Sequence, residues 1–168
     1  MKAKFVNEIM HFERSNDPLV TLQVGKRAQI IKWLNTYGVI NYVINNDLTI
    51  NVNGNVDLSD KNLTIFPYFI KFNYVSGYFD CSNNHLTSLV GCPSSVGNDF
   101  YCYNNQLTSL VGCPSSVGGD FYCYNNQLTS LVGCPSSVGD DFYCYNNKTK
   151  FTKEDVKKLC KVKYMIYV

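Results

Sequence analysis

The chain has 168 residues, 45% of them hydrophobic and 17% charged, with a net charge of +2. That suits one folded, soluble domain, and with no apolar run of signal-peptide or membrane-spanning length it points to a protein made and kept in a cytosol. The charge is uneven: residues 148 to 168 hold seven lysines against Glu154 and Asp155, a local +5, so the other 147 residues carry −3.

Residues 1 to 24 mix apolar and charged side chains without a sustained period. Asn16-Asp17-Pro18 reads as a break, with Asp17 able to cap a helix whose first residue is Pro18. His11, Glu13 and Arg14 are read as a surface helix with local ion pairs rather than as catalytic groups. The stretch FERSNDPL, residues 12 to 19, resembles a short N-terminal motif, roughly FERGxDP, of uncharacterised proteins from bacteriophages and other large DNA viruses. Those proteins often carry LTSL-x-G-x-P repeats, so the resemblance implies a viral source.

From Lys26 to Tyr37 the spacing places Ile30, Ile31, Leu34 and Tyr37 on one helical face, and Gly38 stands where helices commonly end. Gly25-Lys26 lacks the remainder of a phosphate-loop pattern, so a helix start is the expectation there. Residues 40 to 44 and 48 to 52 alternate around the polar Asn45-Asn46-Asp47, a hairpin signal. Helix and hairpin are expected to cover the open end of the repeat array that begins at residue 56.

From Phe79 the sequence repeats with a period of 21 residues: FDCSNNHLTSLVGCPSSVGND, then close copies beginning at Phe100 and Phe121, and a broken copy at Phe142. Residues 56 to 63 align with Phe79 to Leu86 at an offset of 23 as a divergent first copy. Within a copy, Phe100 and Cys102 alternate with Tyr101 and Tyr103 as a short strand with one buried face. Leu107, Leu110, Cys113 and Val117 supply the other inward side chains, and Gly112-Cys113-Pro114 and Gly118-Gly119 read as turns. Six inward residues cannot hold 21 in place alone, so neighbouring copies must stack Phe on Phe and Leu on Leu as a solenoid.

The pattern Phe100-x-Cys102-x-x-Asn105-x-Leu107-x-x-Leu110 resembles the leucine-rich repeat, with Phe and Cys at the two strand leucines and a length similar to the short bacterial-type class. The resemblance spans residues 56 to 147. It implies a curved parallel sheet on the inner face, an irregular back side, and Asn84, Asn105, Asn126 and Asn147 as an interior ladder. Independently of the family, a carboxamide offers donors and an acceptor where a strand turns inward and buries backbone groups. The expected fold class is therefore an α+β repeat solenoid with a short leucine-rich-repeat-like parallel sheet. Its expected parts are residues 1–55, an N-terminal segment with the helix-hairpin cap; residues 56–147, the solenoid; and residues 148–168, a basic C-terminal helix cap.

In that cap Thr152-Lys153-Glu154-Asp155 reads as a helix start, with Val156, Leu159 and Cys160 on one face, and residues 164 to 168 as a strand. Its lysines are read as a solvated helix face in preference to a nucleic-acid contact. The eight cysteines show no CxxC or CxH pair, and Cys92, Cys113 and Cys134 form a column of three that cannot pair completely. They are read as small buried hydrophobes, without disulfide or metal.

The outward positions are the chemistry. Tyr101, Tyr122 and Tyr143 form one column, Tyr103, Tyr124 and Tyr145 a second, and Asp99, Asp120 and Asp141 precede each Phe. Six tyrosines on one rigid sheet lose little side-chain entropy on contact, the property that enriches Tyr in binding surfaces; the competing reading is that Tyr favours strands and stacks across them. The aspartates are expected to cap local turn amides in preference to holding a cation. With His11 and His85 alone, no catalytic set can be assembled. The expectation is a non-enzymatic module, without cofactor, membrane or nucleic-acid partner, that presents a concave tyrosine face to a protein or peptide in a host cytoplasm. The alternative is a structural component of a viral particle packing against other virion subunits.

Overall fold

The computed structural model describes residues 18 to 168. Asp17 and the viral-type motif up to that residue lie outside them, as do His11, Glu13 and Arg14. Two compact units are present, one ending at Gly38 and the other running from Val39 to Val168.

Helix α1 (Pro18–Thr36) is continuous through Gly25 rather than starting at Lys26. An interior glycine costs only about 1 kcal/mol relative to alanine, so it does not break a 19-residue helix. Pro18 sits in the first turn, where no N–H is needed, and Gly38 closes the end with φ of +70°. Ile30 and Leu34, one turn apart, are fully buried.

In the second unit β1 (Tyr42–Ile44) and β2 (Ile50–Val52) form the expected antiparallel hairpin. Its turn is longer than Asn45 to Asp47, because Asp47 Oδ1 accepts from the Thr49 N–H at 3.1 Å and the Thr49 hydroxyl at 2.7 Å and draws that residue into the turn. Strand β2 then pairs in parallel with β4 (Phe72–Val75). The hairpin is thus the first part of the solenoid's own sheet, and the boundary expected after residue 55 falls at 38.

Each coil contributes one short strand to each of two sheets. The six-stranded sheet contains β3 (Val56–Asp57), β5 (Phe79–Asp80), β7 (Phe100–Tyr101), β9 (Phe121–Tyr122), β11 (Phe142–Tyr143) and β13 (Ile166–Tyr167). The seven-stranded sheet joins β1, β2 and β4 to β6 (Ser95–Val96), β8 (Ser116–Val117), β10 (Ser137–Val138) and β12 (Lys161–Val162). Every pair except β1 with β2 is parallel, and Phe79, Phe100 and Phe121 stand in register. The fold is a repeat solenoid of parallel strands, as expected, but the side read as irregular is a second sheet. Two-residue Ser-Val strands between glycines are too short to show an alternation, so their sequence reads as turn. Glycine is required beside them: a Cβ on Gly118 would run into the Gly97 carbonyl of the coil below, and one on Gly139 into that of Gly118.

The segment from 148 onward is a further coil as well as a cap. Helix α2 (Lys153–Lys157) begins with a capping box between Thr152 and Asp155, and β12 and β13 then extend both sheets. Val156 and Cys160 are buried, but Leu159 is 51% exposed, because the helix has ended and the face is out of phase.

The core is columnar. Phe79, Phe100 and Phe121 stack nearly parallel with centroids 5.7 Å apart, and Phe142 follows at 5.0 Å with a tilted ring. Leu86, Leu107 and Leu128 form another fully buried column. Cys81, Cys102, Cys123 and Cys144 form a third. Cys92, Cys113 and Cys134 continue to Cys160, so the column expected to hold three thiols holds four. All eight are free. Burial raises the thiols of Cys92, Cys102, Cys113 and Cys123, and those of Cys134 to about 11 and Cys144 and Cys160 to about 12, which suppresses the reactive thiolate.

Candidate binding face

In a two-residue strand Phe points inward and the following Tyr outward, and parallel pairing puts equal positions side by side. Sheet pairing therefore turns one repeat position into a column. Tyr101, Tyr122, Tyr143 and Tyr167 stack with centroids 4.5 to 4.8 Å apart and planes within 11°. Tyr103, Tyr124 and Tyr145 do so at 4.7 Å. The two columns meet edge to face, as between Tyr122 and Tyr124 at 6.4 Å and 78°. Such contacts add about 0.5 to 1.5 kcal/mol each beyond buried area.

Tyr101, Tyr103, Tyr122, Tyr124 and Tyr143 are half-buried rather than projecting, whereas Tyr145 and Tyr167 at the end of the columns are exposed, at 36% and 41%. Because ring faces are covered by their neighbours, the columns present ring edges and hydroxyls. Tyr167 was missed by sequence reasoning, since it lies 24 residues after Tyr143 in a segment that does not repeat.

Asp99, Asp120 and Asp141 use both carboxylate oxygens. Oδ1 of each accepts a backbone N–H from the next coil: Asp120 N to Asp99 at 2.8 Å, Asp141 N to Asp120 at 2.7 Å, and Met165 N to Asp141 at 2.8 Å. The capped amide is thus one coil away and not in the local turn. Oδ2 accepts the phenol of the tyrosine two residues on: Tyr101 at 2.8 Å, Tyr122 at 2.7 Å and Tyr143 at 3.1 Å. Burial, and then the adjacent carboxylate, raise these phenols, Tyr143 to about 12 and Tyr101 and Tyr122 beyond it. Among the described residues, no protein group is hydrogen-bonded to the hydroxyls of Tyr103, Tyr124 and Tyr145.

Beneath the face, Asn84, Asn105 and Asn126 are buried and Asn147 half-buried. Asn105 Oδ1 accepts from Leu86 N at 2.9 Å, and its Nδ2 donates to the carbonyls of Cys81, Cys102 and Tyr103 at 3.0 to 3.2 Å, tying two coils together. Asn126 and Asn147 repeat the arrangement. Asn84 accepts from both Lys61 N and Leu63 N. The preceding Asn of each doublet has a separate role: Asn83, Asn104, Asn125 and Asn146 all have φ near +53°, and their exposed amides link in a chain, Asn104 to Asn83 at 2.7 Å and Asn125 to Asn104 at 2.8 Å. The repeated Asn-Asn doublet was the available signal, because Asn tolerates the left-handed region.

Fold and face together define a parallel β-solenoid carrying an ordered tyrosine-aspartate surface. In comparisons with protein-family models, curated proteins and solved structures, nothing matches this chain. Among the described residues no cluster of His, Cys, Asp or Glu has the arrangement to hold a metal ion, and no helix is long and apolar enough to cross a membrane.

Proposed function

We propose that this protein is a non-enzymatic binding module whose tyrosine face, on the outer side of the six-stranded sheet, holds a protein or peptide partner. The observation that carries this reading is the locked state of seven tyrosines on a side that the core does not need. Phe, Leu, Val and Cys already fill the interior. Rings fixed by stacking and by Asp99, Asp120 and Asp141 have little freedom left to lose when a partner docks, which lowers the entropic cost of association. The partner meets ring edges and hydroxyls, so contact is polar at the tips and apolar between them. The FERSNDPL resemblance supports a phage or large-virus source and a site of action in the host cytoplasm.

The test is capture from host or infected-cell lysate by the wild type and by a Tyr122→Ser/Tyr124→Ser variant, with a melting curve for each. A folded variant that loses its partners is the expected result. Recovery of the same partners by both proteins would make the face scaffolding only.

A further inference from the structure

The hydrogen-bond polarity of the face narrows the chemistry of the partner, an inference that rests on the face being a binding surface. Tyr101, Tyr122 and Tyr143 direct their O–H at an aspartate, so toward solvent their oxygens can only accept. Carboxylates likewise accept and do not donate. Residues 79 to 147 contain Asp80, Asp99, Asp120, Asp140 and Asp141 but neither Lys nor Arg. Among the described residues the salt bridge present, Lys158 with Asp155, lies outside that stretch. This stretch of the surface is therefore anionic and rich in acceptors, with Lys163 of the terminal coil beside Asp140 at its edge.

That combination discriminates among partners. A nucleic acid or acidic peptide would meet like charge. A purely apolar segment would strip water from carboxylates and give nothing in return. Lysine and arginine carry only donors, three and five of them, together with positive charge. We propose that the partner is an extended segment of another protein whose lysines or arginines lie across the tyrosine columns, donating to the Asp99, Asp120 and Asp141 carboxylates and to the phenol oxygens of both columns, those of Tyr103 and Tyr124 included. The stacked ring faces are closed to cations, so the contact is made through oxygen and not through the π face. A second copy of this chain fits less well, because its basic tail offers only short alternating pairs, Lys148 with Lys150 and Lys161 with Lys163, separated by α2 rather than one long extended row.

The experiment is fluorescence anisotropy of a labelled peptide of alternating arginine and serine against the full chain, with a glutamate-for-arginine peptide as control, at low and high salt. Binding of the arginine peptide alone, weakened by salt, is expected. Asp99→Asn and Asp120→Asn should each weaken it about tenfold, the loss of one charge-assisted hydrogen bond. Should those variants unfold, Tyr103→Phe/Tyr124→Phe keeps both stacks, removes only hydroxyls, and should still weaken binding several-fold. Equal affinity for both peptides, affinity unchanged in every folded variant, or displacement of the peptide by self-association of the chain would overturn the proposal. If the arginine peptide fails to bind while lysate capture still depends on Tyr122 and Tyr124, the cationic partner is wrong and the binding face stands. If both fail, both readings fall.

Discussion

Asn104 and Asn105 are adjacent, identical in chemistry and opposite in role. Asn105 is buried and satisfies one backbone N–H and three carbonyls across two coils. Asn105→Ala should therefore cost about 1 to 3 kcal/mol by leaving buried backbone groups unpaired. Asn104 is exposed but has φ of +53°, where an alanine Cβ costs roughly 1 to 2 kcal/mol and glycine nothing steric. The expected order in urea denaturation midpoints is Asn104→Gly close to wild type, then Asn104→Ala, then Asn105→Ala. An Asn104→Gly variant as unstable as Asn104→Ala would show that the exposed amide chain, and not the backbone angle, is what the residue supplies. The interior role of the second asparagine was legible in the sequence from its place before Leu107, whereas positive φ leaves no mark except the residue type itself.

Stacked columns behave as elements in their own right, and the Asp-linked tyrosine column has a pH signature. Unfolded tyrosine titrates near 10, while Tyr143 is raised to about 12 and Tyr101 and Tyr122 further, by burial and then by the aspartate each faces. A folded pKa above the unfolded one means that the folded state holds the proton more tightly. Stability from this source is intact below about pH 10 and is lost as pH rises through the folded values. A triple Tyr101→Phe, Tyr122→Phe and Tyr143→Phe variant should lose less stability than wild type across that alkaline window in melting curves, and should lack the latest part of the phenolate absorbance titration. Identical alkaline slopes would remove the coupling. The columns were legible from the 21-residue period, because parallel stacking converts a repeat into a column whatever the details. The aspartate's second bond was not, because its partner amide lies a full coil away. The Ser-Val sheet was hidden for another reason, its strands being two residues long and bracketed by Gly97, Gly118 and Gly139, which read as turn chemistry.

In the solenoid, cohesion is nearest-neighbour: each coil contacts the one before and the one after, through Phe, Leu, Cys and Asn columns that repeat from residue 79 to 147. Residues 121 to 141 differ from residues 100 to 120 only at Asp140 in place of Gly119. Excising residues 121 to 141 should therefore leave a folded, shorter solenoid, with Phe100 meeting Phe142 as Phe121 does in the full chain. Excising residues 121 to 140, one residue fewer, should abolish cooperative unfolding, since a shift of one residue turns inward side chains outward. Circular dichroism melting of the two proteins decides it, and a cooperative transition in both would mean that the columns do not set the register. The C-terminal coil makes the same point from the other side: α2 replaces the repeat's Leu corner, yet β12 and β13 keep both registers. Because near-identical copies recur at whole-repeat spacing, a gain or loss of one copy would be tolerated by the fold. Such a protein can change the length of its tyrosine surface by discrete rungs without any new side chain.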